Sequence, residues 1–135
     1  MGNVANQEKV GKRVMLIEPN PIVRLLLTIF LQQQHHLLAS HSSYETALNA
    51  LKLPFMARFP PHVVILSVRL KQRDCIRILT HLVHDSAYQE TSVIVMVLEE
   101  EQRQHDMHHL LQRVQARVLI KPIQVQEVLS LVATA

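Results

Sequence analysis

The chain has 135 residues, 48% of them apolar and 19% charged, with a formal net charge of +3. That length suits one compact domain with a single core, and the composition excludes a disordered chain. The lone cysteine, Cys75, excludes an internal disulfide, and no window approaches the roughly 18 uninterrupted apolar residues of a membrane-spanning helix. Apart from Lys12 with Arg13 and the run Arg69, Lys71, Arg73, the basic residues are scattered, so nucleic acid is not an expected partner. The opening MGNVANQEKVGKR has no apolar signal core, and Asn6 stands where a myristoylation motif needs Ser or Thr. A cytoplasmic protein without membrane attachment is expected.

Residues 1–11 read as a flexible leader that holds both glycines, Gly2 and Gly11, and residues 12–135 as one domain. A domain without glycine has no glycine-dependent phosphate cradle. Arg13 to Ile17 is the first apolar strand; Asn20 can cap the following helix and Pro21 can occupy its first turn. That helix, to about Gln34, is apolar over well more than half of its circumference, so part of its surface needs a partner. Leu37 to Ser40 is a short strand, and Ser42 with Glu45 has the capping-box spacing that opens a second helix, limited by Pro54. Pro61 leads into Val63 to Leu66, an apolar run stopping at Ser67. So short and continuous a run reads as a strand buried on both faces.

A polar, basic connection follows, then a helix through Ile76, Leu79, Leu82 and Val83. Ser92 to Leu98 is a fourth strand. Glu99, Glu100 and Glu101 open a helix that carries Met107, Leu110, Leu111 and Val114, their charge opposing the helix dipole favourably. Arg117 to Ile120 is a fifth strand, and Gln124 to about Val132 the last helix. Strand and helix alternate five times with room for right-handed crossovers, which predicts an α/β fold: a five-stranded parallel sheet in a three-layer sandwich. In such sheets ligands sit past the carboxyl ends of the strands, which directs attention to Ser67.

The stretches RVMLIEPNPIVR (13–24), PHVVILSVRL (61–70), SVIVMVL (92–98) and VLIKPI (118–123) resemble the receiver domain of two-component response regulators over essentially residues 12–135. The match implies a flavodoxin-like (βα)5 fold and a phosphorelay signalling role in a bacterial setting. In that family an aspartate ending the third strand accepts a phosphoryl group, two acids after the first strand hold Mg²⁺, and a hydroxyl residue ends the fourth strand. An aromatic lies on the fifth strand, and a lysine followed by a commonly cis proline comes after it. Carried over residue by residue, the acceptor position is Ser67, the acidic pair is Glu18 and Pro19, the hydroxyl position is Val97 and the aromatic position is Val118. Lys121 matches the lysine and Pro122 is the cis candidate.

One carboxylate is a poor holder of a hard octahedral cation, and Ser67 has no base in prospect except a cationic Lys121. The expectation is therefore a pseudo-receiver, not phosphorylated and not an enzyme, with no cofactor and no metal, acting through a protein partner or by homodimerisation. A Glu18 to Lys121 ion pair, bridged by Ser67, would replace the metal site. Two alternatives are an atypical phosphoacceptor using Ser67 or Asp74, and a small-molecule or flavin-binding module on a flavodoxin-like sheet.

Surplus apolar residues on the first helix, Val23, Leu27 and Leu31, are the interface candidates. The surface that receiver-like domains commonly pair through, formed by the helix ending near Val114, the strand after it and the last helix, is a second. His105, His108 and His109, and His81 with His84, have helical spacings but lack further ligands, and a solvated helix face explains His105 and His108 at least as well as a metal does. Cys75 reads as a small apolar residue at a helix start, and Asp74 as that helix's N-cap. Met15, Met96 and Met107 read as core filler.

Overall fold

The computed structural model describes residues 11–69 and 71–135. Five strands, β1 (Arg13–Ile17), β2 (Leu37–His41), β3 (Val63–Ser67), β4 (Ser92–Val97) and β5 (Arg117–Ile120), form one sheet in the order β2-β1-β3-β4-β5. Every pairing is parallel, with Ile17 beside Leu66, Ser67 beside Met96 and Val97 beside Ile120. All five residues of the central β3 are buried, as a strand covered on both faces requires.

Side chains alternate between two cores. On one face Val14, Leu16, Val63, Ile65, Ile94 and Met96 meet α1 (Pro21–Gln33) and α7 (Val125–Thr134). On the other, Met15, Ile17, Val64, Leu66, Val95 and Val97 meet α2 (Tyr44–Leu51), α4 (Arg73–His84) and α6 (His105–Val114). Each fully buried aliphatic chain contributes about 1.5–3 kcal/mol. No helix among the described residues is long and apolar enough to cross a membrane.

Several local readings need correction. Pro54 does not simply end a helix; it opens α3 (Pro54–Arg58), one short turn in which a proline at the first position costs no hydrogen bond. The acidic run forms its own short helix, α5 (Glu99–Gln102), separated from α6 by Arg103 and Gln104. Ser43, not Ser42, caps α2, accepting the Thr46 amide at 3.2 Å. Asp74 is no N-cap: Gln72 holds that position, and Asp74 lies inside the first turn of α4, paired to Arg77 at 3.2 Å.

The assumed leader ends against the fold. A Cβ on Gly11 would stand 1.6 Å from the His35 carbonyl oxygen, so the backbones meet too closely for any side chain. Residues 1–10 lie outside the described residues, as does Leu70. Two turns bend through left-handed backbone without glycine, at His35 (φ 67°) and Gln115 (φ 55°), the latter ending α6.

Candidate functional site

The carboxyl ends of β1, β3, β4 and β5 bring Glu18, Ser67, Val97 and Lys121 to one corner of the sheet. Glu18 follows β1 and is buried; one carboxylate oxygen, Oε2, accepts the Asn20 amide at 3.2 Å, and its own amide donates to the His41 carbonyl at 3.0 Å. Asn20 Oδ1 accepts from the amides of Ile22 and Val23, which starts α1. Arg24, one turn into that helix, donates to the carbonyls of Glu18 (2.8 Å) and Pro19 (3.3 Å). The β1–α1 corner is thereby tied from both sides.

Ser67 ends β3 fully buried, and its Oγ has no hydrogen-bond partner. Leaving a buried hydroxyl unmatched costs about 1–3 kcal/mol, which is why such groups merit an explanation. The Ser67 carbonyl, in contrast, accepts the Tyr44 hydroxyl at 2.5 Å. Burial pushes the Tyr44 phenol well above its usual range, with smaller contributions from neighbouring charges, so it stays a neutral donor. No sequence pattern marked Tyr44. It follows two serines at the start of α2, and only the packing of α2 beside β3 gives its hydroxyl a role.

Lys121 is anchored by its amide to the Val97 carbonyl at 2.9 Å, and its ammonium points to the Val68 carbonyl at 3.5 Å. The Lys121–Pro122 bond is cis. The ion pairs among the described residues join Arg77 to Asp74, His81 to Asp85 and Arg103 to Glu99. Glu18 and Lys121 do not form the expected pair, and Ser67 bridges nothing, because the lysine finds a backbone oxygen across β3 and the glutamate a backbone amide in its own turn. Val97 is buried, and Val118, on β5, is half-buried.

Cys75 reaches the same corner from α4, fully buried. Burial pushes its thiol up to about 11, outweighing the hydrogen bond from the Arg69 backbone, so it is an inert thiol near neutral pH. Outside the strand ends lies an open depression of about 290 Å³ that includes Pro19, Tyr44, Arg69 and Asp74 in its walls but neither Ser67 nor Lys121. It falls at the small end of ligand pockets, about 300–1,000 Å³.

The Mg²⁺ implied by the fold does not fit this donor set. Glu18 is the one carboxylate of the Glu18–Pro19 pair, and one of its oxygens already serves a backbone amide. No group of three or more His, Cys, Asp or Glu among the described residues could hold a metal ion. His105 and His109 lie with ring centroids 4.4 Å apart on α6, stacked edge to face.

The interface candidates on α1 are misassigned. Leu27 and Leu31 are fully buried and Val23 is half-buried against the same core. The helix is apolar on both sides, and periodicity alone cannot tell which stripe faces inward.

Against this geometry, the family model for the response regulator receiver domain matches residues 14–133. The chain belongs to that family. Among solved receivers, it is similar to the receiver domain of Francisella response regulator 1452 (14% identity, TM-score 0.73, covering 92% of this chain and 95% of that one). It is likewise similar to the chemotaxis protein CheY4 of Vibrio cholerae (17%, 0.70, 93% and 98%) and a response regulator protein of Burkholderia multivorans (22%, 0.69, 91% and 94%). At these identities the likeness establishes the flavodoxin-like receiver fold. No curated protein matches the sequence significantly.

Proposed function

We propose that this receiver domain, residues 12–135, relays signals in the cytoplasm of a bacterial cell by protein contact, without being phosphorylated and without enzymatic activity. Ser67 carries the reading. Where the family places its phosphoacceptor, this chain has a fully buried hydroxyl with no hydrogen-bond partner. A hydroxyl nucleophile needs a base within about 2.6–3.2 Å, and Ser67 has none. Lys121 donates to a carbonyl instead, so its cation is unsuited to removing a proton.

The surroundings support the same reading. Glu18 is engaged by the Asn20 amide, Pro19 contributes no carboxylate, and the valines at 97 and 118 offer neither a hydroxyl to a phosphoryl group nor a movable aromatic. What the fold still supplies is a set of surfaces, so the expected partner is a signalling protein or a second copy of the chain.

Incubation with acetyl phosphate and Mg²⁺, followed by intact mass spectrometry, tests this directly. An unchanged mass is expected. A phosphoryl mass gain that disappears in Ser67→Ala or Asp74→Ala would overturn the reading and move the activity to that residue.

A further inference from the structure

We infer that the outer face of α1 is a self-association surface that packs antiparallel on the α1 of a second copy. The inference rests on the reading that this domain works by contact, and names the surface and the partner.

Helix α1 carries two apolar stripes. Val23, Leu27 and Leu31 fill the core, while Ile22, Leu25, Leu26, Ile29 and Phe30 face outward, exposed by 70, 60, 44, 42 and 37% respectively. At about 100° per residue the outer set occupies a continuous arc of about 140°, wider than the stripe with which a surface helix normally meets its own core. Apart from the edge formed by Arg24, Thr28 and Gln32, and from Gln33 at its end, the helix is apolar, and the fold covers only its Val23–Leu27–Leu31 side.

The size of the stripe fits a second protein chain. Five large apolar side chains this exposed on one arc amount to a patch of several hundred Å², within the range of about 300–600 Å² for the largest patch on a monomer. A standard interface takes about 800 Å² from each partner, a little more than half of it apolar. The stripe is therefore comparable to the apolar share one protomer contributes.

Charge selects what the second chain is. The one charged residue of α1 is Arg24, and its guanidinium is turned back onto the Glu18 and Pro19 carbonyls. The outer stripe thus offers no charge for an acidic or basic partner to recognise. Two molecules of net charge +3 approach with least repulsion over a neutral face. Self-complementarity follows from the spacing, because a two-fold axis at Leu26 sets that residue against its counterpart and Ile22 against Phe30, as an isologous contact requires. Gln32 and Gln33, exposed at the end of the helix, supply an uncharged polar rim.

Sedimentation velocity from about 1 μM to about 1 mM, the span of weak self-association, reads this out. The wild-type chain is expected to become dimeric within that span, and the Leu25→Glu/Ile29→Glu variant to stay monomeric with an unchanged circular dichroism spectrum. Both positions point outward, so the fold does not depend on them. Leu26→Cys is expected to cross-link with itself under mild oxidation, the native Cys75 being buried. A wild-type monomer at every concentration, or a dimer that survives the double variant, would overturn the inference. Phosphorylation by acetyl phosphate would instead defeat the reading beneath it and leave the dimer count where it was.

Discussion

The two ends of the sheet handle their polar groups in opposite ways. At the amino ends of the strands, His36 Nδ1 accepts the Lys12 amide (3.0 Å) and His62 Nδ1 the Arg13 amide (2.9 Å). The Lys12 ammonium closes the last turn of α7 through the carbonyls of Val132 (2.7 Å) and Ala133 (3.0 Å), a favourable place for a cation. At the carboxyl ends, Ser67 Oγ is unmatched and Lys121 reaches its acceptor only at 3.5 Å. One end is assembled for stability. The other keeps its Tyr44 and Glu18 bonds but leaves one buried hydroxyl unmatched.

The contrast can be broken first at the well-matched end. Gly11→Ala drives a methyl group into the His35 carbonyl, and a loss of about 2–3 kcal/mol in urea denaturation is expected from the forced backbone shift. Acid acts next, on the histidines. Burial, then the nearby Lys12 or Arg13, lowers the pKa of both His36 and His62, so the folded state favours the neutral ring that can accept an amide proton. The unfolded chain then binds more protons just below the ordinary value of 6.5. Stability is full above that pH and falls as the pH drops from it toward the folded pKa values. Thermal melts across this window should show the decline, and His36→Asn/His62→Asn should reduce it, leaving the share of His41, whose pKa burial also lowers.

At the carboxyl end the effects are smaller. Tyr44→Phe removes the donor to the buried Ser67 carbonyl and should cost about 1–2 kcal/mol in the same denaturation assay. Ser67→Ala deletes a hydroxyl that bonds to nothing, so stability should hold or rise by up to about 1 kcal/mol. A Ser67→Ala loss comparable to that of Tyr44→Phe would erase the distinction between the two ends.

The sheet was legible because most of its strands are short apolar runs bounded by polar or proline residues, and the corner of Glu18, Ser67 and Lys121 because four separate stretches carry the family resemblance. Where longer-range packing decides, the residues alone mislead. The two stripes of α1 have the same periodicity, so Leu27 and Leu31 read as surplus while Leu25 and Ile29 hold the outside. Pro54 reads as a stop although α3 begins on it. The Tyr44 bond joins residues 23 apart in sequence, beyond any local pattern.

The scarcity of glycine reaches further than the phosphate cradles it removes. From residue 12 onward no position has the conformational latitude of a bare α-carbon, and even the left-handed turns at His35 and Gln115 carry full side chains. Connections of this kind hold few alternative shapes. The domain should meet its partner as a preformed block, with little loop entropy forfeited on docking and little capacity to remould itself for a second, differently shaped one.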